Sequence, residues 1–75
     1  MALEEVTFYP VESSNVSEIG YDVNEMVLYV KFNNEALYYY ESVPPEVWEQ
    51  MRYTESIGKF VHTNLKGIYP YGRVY

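Results

Sequence analysis

The feature that most constrains the fold is a strand–turn–strand pattern in the middle of the chain. Residues Met26–Phe32 alternate between two faces as a half-buried strand does. One of these faces carries Met26, Leu28, Val30 and Phe32. Asn33 and Asn34 follow, and asparagine tolerates the positive φ of a tight hairpin turn better than most residues. The sequence therefore predicts a β-hairpin in which Ala36–Ser42 is the returning strand.

Three consecutive tyrosines lie in the returning strand. Because side chains alternate across a strand, Tyr38 and Tyr40 share one face and Tyr39 takes the other. We expect the pair to lie against the helices, and Tyr39 to point toward solvent or a partner subunit. A tyrosine ring is apolar with a polar tip, so these positions suit a core edge, a subunit contact or a platform for a stacked base.

Two shorter strands are predicted before the hairpin. Val6–Val11 has strand-type residues, but Pro10 lacks a backbone donor, so this segment should lie at a sheet edge or end early. Val16–Tyr21 is the second short strand, and Gly20 within it marks a bulge or a close backbone approach. Together with the hairpin, these segments predict a small antiparallel sheet of three to four strands.

Two short helices are predicted after the hairpin. Pro45 suits the first turn of a helix that continues to Arg52. Ile57–Lys66 is the second helix, and Gly67 is placed to end it. We expect Ile68–Tyr75 to be an extended or turning tail that lies against the body. Strands followed by helices indicate an α+β fold, with both helices packed on one face, in a single domain over residues 1–75.

Charge is distributed unevenly along the chain. The net charge of −6 argues against a protein that coats nucleic acid non-specifically, because such binding depends on Lys and Arg. All 11 acidic residues lie within positions 1–56. Positions 57–75 contain no acid but carry Lys59, Lys66 and Arg73 among several aromatic residues. This section could bind a small anionic ligand even though the protein as a whole is acidic.

The chain contains one histidine and no cysteine. The lack of cysteine excludes disulfides and thiolate metal sites, and it fits a reducing compartment. His62 is the one ready general base, and the sequence has no phosphate-binding loop, dinucleotide fingerprint or zinc spacing. We therefore expect a protein that is not an enzyme and that uses no cofactor and no metal.

The sequence also carries no long apolar run and no signal-type start. We expect a soluble protein, with no membrane partner, in the bacterial cytoplasm or, if phage-encoded, in the host-cell cytoplasm.

The order of motifs resembles the KTSC domain family. The resemblance covers most of the chain, from Val11 to Val74, and rests on six short segments in sequence order. These are Ser13-Ser14-Asn15, Ile19-Gly20-Tyr21-Asp22, the pair Tyr38 and Tyr40, Val43-Pro44, Ser56-x-Gly58-x-Phe60, and Tyr69-Pro70-Tyr71. Members of the family occur behind some lysyl-tRNA synthetases and as single-domain proteins of bacteria and phages. The resemblance implies the same small α+β fold, and the synthetase context implies RNA binding.

Three functions remain open from the sequence. The first is binding of a nucleotide-type ligand, such as a cyclic dinucleotide held by a phage-borne sponge against host defence signalling. The second is single-stranded RNA binding, which the net charge opposes. The third is a protein-interaction module whose exposed tyrosines form a homo- or hetero-oligomer contact, since tyrosine is enriched at interfaces. In addition, we expect the protein to form a homo-oligomer. For the first function the predicted ligand-binding residues are Tyr38, Tyr40, Lys59, His62, Lys66, Tyr69, Tyr71 and Arg73.

Overall fold

The computed structural model of the protein describes residues 3–75. Within this range the chain forms five strands: β1 (Phe8–Pro10), β2 (Val16–Asp22), β3 (Val27–Phe32), β4 (Leu37–Tyr40) and β5 (Tyr71–Arg73). Its helices are α1 (Pro45–Arg52) and α2 (Ile57–Phe60). A short 3₁₀ turn at Leu3–Glu5 precedes the strands, and a π-helical turn at Val61–Leu65 continues α2.

All five strands form one antiparallel sheet in the order β1-β2-β3-β4-β5. The predicted hairpin is β3 and β4, where Tyr29 pairs with Tyr39. The α+β class is confirmed, but the sheet has one or two strands more than predicted. The additional strand arises because the C-terminal tail turns back and pairs with β4, which places Tyr71 opposite Tyr40. No helix in the part of the chain described is long and apolar enough to cross a membrane.

The hairpin turn differs in detail from the prediction. The residue with positive φ is Glu35, at 74°, and not an asparagine. Asn34 instead uses its side chain, whose Oδ1 accepts a hydrogen bond of 3.0 Å from the backbone N–H of Ala36. This local side-chain contact stabilises the turn in the manner of an Asx turn.

The main hydrophobic core lies between the sheet and the helices. Tyr40 and Leu28 enter it from the sheet, and Trp48 and Met51 enter it from α1. The other buried members are Val16, Ile19, Val30, Val43, Ile57, Phe60, Val61 and Leu65. Tyr38 is half-buried and packs against the same cluster, so the predicted location of the tyrosine pair is confirmed.

A second, smaller core covers the opposite face of the sheet and was not predicted. It is formed by Val6, Val27, Tyr29 and Leu37, with neighbouring contacts from Leu3, Phe8 and Tyr39. The prediction that Tyr39 points to solvent or to a partner subunit is wrong, because this cluster half-buries its ring. The ring also lies over Gly72, where an added Cβ atom would overlap the tyrosine hydroxyl.

The second predicted helix has a change of geometry at its centre. Ser56 caps it, because its Oγ accepts a hydrogen bond of 3.3 Å from the backbone N–H of Lys59. Lys66 N donates to the carbonyl of Val61, five residues earlier, at 2.9 Å. Gly67 follows with φ of 80°, which confirms its predicted role as the stop.

Candidate functional site

An open cavity of about 600 Å³ lies on the helix-covered face of the sheet, beside β4 and β5. The sheet, the turn after β3, the loop before β2 and the second helix all contribute to it. The lining residues are Ser14, Asn15, Phe32, Asn33, Asn34, Tyr38, Tyr40, Gly58, Val61, His62, Lys66 and Tyr71.

Four rings, which we call the aromatic wall, form one side of this cavity: Phe32, Tyr38, Tyr40 and Tyr71. Tyr38 meets Phe32 edge-on, with ring centroids 5.4 Å apart. Tyr71 stacks beside both Tyr38 and Tyr40, at 6.3 Å and 5.9 Å. Strand alternation places the two β4 tyrosines on one face, and the pairing of β5 with β4 brings Tyr71 next to them.

The aromatic wall is buried at one end and open at the other. Tyr40 is 4% exposed, whereas Tyr71 is 58% exposed. Burial raises the pKa of the Tyr40 hydroxyl above its ordinary value of 10.0, and the neighbouring Tyr71 and Tyr38 hydroxyls raise the pKa further. The Tyr40 hydroxyl is therefore protonated at neutral pH and can act as a hydrogen-bond donor.

Two basic side chains line the cavity, His62 from the second helix and Lys66 from the residue that caps its C-terminal end. Both residues are exposed to solvent. None of the described residues that line the cavity is acidic. This is a locally positive surface on a protein with a net charge of −6.

A polar rim of backbone and side-chain amides completes the site. Asn33 connects the turn after β3 to the loop before β2, because its Nδ2 donates to the carbonyl of Ser14 at 2.8 Å. Its backbone N–H also donates to the carbonyl of Asn15 at 2.8 Å. Ser13 Oγ stabilises the same loop by accepting from the backbone N–H groups of Asn15 and Val16, at 3.2 Å and 3.3 Å. The rim is thus held in place before any ligand binds.

Gly58 sits where α2 passes this loop. A Cβ atom added there would be 3.4 Å from Asn15 Nδ2 and 3.6 Å from Ser13 Oγ, which is ordinary van der Waals contact. The glycine is therefore not required for the fold at this point, but its missing side chain keeps the cavity wider.

Five of the eight predicted ligand-binding residues line the cavity together: Tyr38, Tyr40, His62, Lys66 and Tyr71. The other three do not. Lys59 lies in the first turn of α2, which begins against the loop before β2, and it lines a separate depression of about 240 Å³ with Glu12 and Glu55. Tyr69 is half-buried and packs against the main core. Arg73 is on the sheet edge, and its Nε donates to the carbonyl of Tyr75 at 3.0 Å.

Residues that sequence reasoning missed are mainly those of the rim, together with Phe32. Asn15 and Gly58 belong to the Ser-Ser-Asn and Ser-x-Gly-x-Phe segments that carry the family resemblance. That resemblance was a usable signal, because both segments meet at the cavity. Asn33 and Asn34 were assigned only to a turn.

A second aromatic cluster lies elsewhere on the surface, around Trp48. Tyr21 stacks on Trp48 with ring centroids 5.5 Å apart, and its hydroxyl donates to the carbonyl of Val43 at 2.5 Å. The Arg52 guanidinium lies 5.6 Å from the centre of the Tyr9 ring and 5.8 Å from that of Trp48. The members of this cluster contact one another, so packing explains their arrangement.

Among the described residues, no group of three histidine or acidic side chains could hold a metal ion.

Comparisons with known proteins agree with the fold. The KTSC domain pattern matches residues 12–69. A protein of Tsukamurella paurometabola is 44% identical over 57 residues, which are 76% of this chain and 85% of that protein. A protein of Stutzerimonas stutzeri is 38% identical over 56 residues, covering 75% of this chain and 79% of the relative.

A solved structure is also similar. The crystal structure of a KTSC domain protein from Yersinia pestis superposes with a TM-score of 0.89 at 27% identity, covering 93% of this chain and 99% of the other. The sequence matches and the shared fold together show that the chain belongs to the KTSC domain family.

Proposed function

We propose that this protein binds a nucleotide-type ligand in the cavity beside the aromatic wall, without catalysing a reaction on it. The observation that carries the proposal is the juxtaposition of one exposed ring, Tyr71, and the rings beside it with two basic side chains, with no acid among the described lining residues. Tyr71 supplies an open ring face, and His62 and Lys66 lie among the same lining residues.

The chemistry of the two sides fits the two parts of a nucleotide. A base stacked on an aromatic side chain contributes about 1–3 kcal/mol, whichever base it is. A lysine ammonium forms charge-assisted hydrogen bonds to phosphate oxygens, and an exposed histidine can donate to the same group. The cavity volume of about 600 Å³ is in the range of small-molecule sites, which run from about 300 to 1,000 Å³.

The rim offers a means of reading the base. Side-chain amides carry both a donor and an acceptor, so an asparagine can pair with the edge of a base. Asn15, Asn33 and Asn34 all line the cavity. The Nδ2 group of Asn33 and the Oδ1 atom of Asn34 already serve the local structure, which leaves the other end of each amide for a ligand.

The lining residues support the proposal of binding without turnover. His62 is the one ready general base among the described lining residues, and the hydroxyl of the adjacent Thr63 donates to the carbonyl of Lys59. A protein that binds a signalling nucleotide without consuming it lowers the free concentration of that nucleotide. The sequence predicts a cytoplasmic protein, and a cyclic dinucleotide is an example of the ligand that it suggests. We would therefore test a cyclic dinucleotide first.

Isothermal titration calorimetry with a panel of cyclic dinucleotides, mononucleotides and short single-stranded RNAs tests the proposal. A ligand with one or two phosphates at the site should bind with an affinity that falls only slightly as salt rises. An RNA that spans several phosphates should lose affinity steeply over the same range. The absence of binding to every member of the panel would refute the proposal, and a steep salt dependence confined to RNA would favour the RNA-binding alternative.

A further inference from the structure

The two edges of the sheet differ in what their backbones present. In β1, the N–H of Val11, just beyond the strand, donates to the carbonyl of Ser17 at 3.1 Å. Because the ladder alternates, Tyr9 also faces β2, and Phe8 and Pro10 face outward. Pro10 has no N–H, so an incoming strand would find only one outward donor in β1. This edge is protected against pairing.

The edge formed by β5 has no such protection. The carbonyl of Pro70 accepts from the N–H of Glu41 at 2.8 Å, and the N–H of Val74 donates to the carbonyl of Leu37 at 2.7 Å. Pro70 and Val74, which flank β5 at its two ends, therefore both direct backbone groups toward β4.

The direction of the backbone groups alternates along a strand, so the orientations of Pro70 and Val74 determine those of the three residues between them. Gly72 faces β4, where it pairs with Tyr39. Tyr71 and Arg73 direct their backbone N–H and C=O groups away from β4, where no further strand of the described chain lies. The open edge thus presents two donors and two acceptors in the spacing of a β-ladder.

We propose that β5 pairs with β5 of a second copy of this chain, antiparallel, about a two-fold axis at Gly72. In this register each Tyr71 lies opposite the partner's Arg73 and exchanges both backbone hydrogen bonds with it. The two five-stranded sheets become one continuous sheet. Such a contact also suits a domain this small, because association buries surface that one short chain cannot cover alone.

The side chains at the β5 edge of one copy are complementary to those at the same edge of a second copy. Directly opposed residues in a ladder place their side chains on the same face, so each Tyr71 side chain lies next to the Arg73 side chain of the other copy. This pairing brings no like charges directly opposite each other, and it forms twice in the symmetric pair.

Charge and exposed apolar surface also favour a second copy as the occupant. Arg73 is the one residue with a charged side chain between positions 67 and 75, so two chains of net charge −6 would meet at an edge that carries no acidic side chain. The same segment contains four of the exposed large hydrophobic residues, namely Ile68, Tyr71, Val74 and Tyr75. Pairing of the edges would cover part of this surface.

The dimer has a consequence for the cavity, and this part rests on the proposed function. Arg73 does not line the cavity of its own chain, but Tyr71 does. Because the partner's Arg73 would lie beside Tyr71 on the cavity face, each site would gain a cation from the other copy. A ligand with two phosphates could then contact Lys66 from one copy and Arg73 from the other.

Molecular mass and amide exchange of the unmodified protein provide the first test. Sedimentation equilibrium from micromolar to millimolar concentration should show a dimer. The backbone amides of Tyr71 and Arg73 should become protected from hydrogen exchange as the dimer forms, whereas that of Phe8, on the other edge, should not. A monomer at every concentration, or a dimer without this protection, would overturn the pairing.

Two substitutions at one position separate the dimer from its effect on the ligand. Arg73→Pro removes an outward N–H but no hydrogen bond to β4, and it should yield a monomer whose circular dichroism matches the parent. Arg73→Ala keeps the N–H, so it should stay dimeric while binding the best nucleotide of the panel at least several-fold more weakly. A dimeric Arg73→Pro variant would refute the strand pairing. Should that variant fail to fold, the exchange data on the unmodified protein decide.

The remaining outcomes are also distinct. A dimeric Arg73→Ala variant with unchanged nucleotide affinity would refute the shared site and support the dimer alone. A dimeric parent that binds no nucleotide would refute the proposed function and support the strand pairing.

Discussion

Tyr71 stacks beside Tyr40 across the β4–β5 pair, with ring centroids 5.9 Å apart and planes inclined by 29°. The two rings have opposite surroundings, because Tyr40 is buried in the main core while Tyr71 is mostly exposed. Tyr71 is therefore held on one side by the protein and open on the other. This is the arrangement that a stacking platform requires.

Replacing the open ring should weaken the ligand and leave the fold intact. We expect Tyr71→Ala to cost about 1–3 kcal/mol of binding, roughly a five- to 150-fold rise in Kd, because one base loses its stacking partner. Calorimetry measures this directly. Tyr53→Ala is the matched control, since Tyr53 is 76% exposed and lies outside the cavity. Equal affinities for the two variants would contradict the assigned site.

Comparing two lysines separates the effect of a charge in the cavity from the effect of the protein's net charge on nucleotide affinity. Lys66 lines the cavity and Lys59 does not, although both are exposed and lie only seven positions apart in the chain. Lys66→Glu should lower nucleotide affinity by about 1.5–3 kcal/mol, as expected for loss of a hydrogen bond to a charged group. Lys59→Glu makes the same change in net charge and should have a much smaller effect. If both variants lose affinity equally, long-range charge and not the site is responsible.

A side chain added at Gly58 should stabilise the fold and weaken ligand binding. Alanine fits beside Asn15 without a clash, and within a helix it is favoured over glycine by about 0.5–1 kcal/mol. We expect Gly58→Ala to raise the melting temperature while the added methyl group narrows the cavity and weakens the ligand. Thermal denaturation and calorimetry on the same sample give both quantities. A more stable variant with parental affinity would show that the ligand does not approach this end of the cavity.

Gly72 should tolerate no side chain. A Cβ atom there would overlap the Tyr39 ring, so Gly72→Ala should destabilise the fold by about 1–3 kcal/mol through overpacking. Urea denaturation measures the change. When Tyr39 is already replaced by alanine, Gly72→Ala should lower the free energy of unfolding by less than it does in the parent, because the clashing ring is gone. Strictly additive effects of the two substitutions would argue against the close contact.

Stability should fall at alkaline pH through the buried tyrosines. Burial raises the pKa of the Tyr40 hydroxyl above 10.0 in the folded protein, so the folded state binds its proton more tightly than the unfolded state does. Its contribution is complete below pH 10.0 and is lost as the pH rises through the folded-state pKa. Denaturation at several pH values checks this, and Tyr40→Phe should show a shallower decline above pH 10.0. Tyr21 and Tyr29, whose pKa values are also raised, chiefly by burial, would account for the decline that remains.

Much of the local structure could be predicted from the sequence. The alternation of β3 placed Leu28 and Val30 on one face, where both lie in the main core, and the same rule divided the three tyrosines between two faces. Pro45 and Gly67 marked a helix start and a helix stop correctly. These features depend on periodicity and on the φ preferences of single residues, and both are properties of a short stretch of chain.

What the tertiary structure decided concerns contacts between distant segments. Tyr39 is half-buried because the N-terminal segment covers a sheet face that the sequence left open. The cavity exists because Asn15, Tyr38, Lys66 and Tyr71 come from four separate parts of the chain. Lys59 could not be separated from Lys66 by composition, since the difference depends on which loop α2 begins against. Sequence alone thus determined which face each side chain takes, whereas packing determined what each face meets, because the pairing of distant segments depends on the whole chain at once.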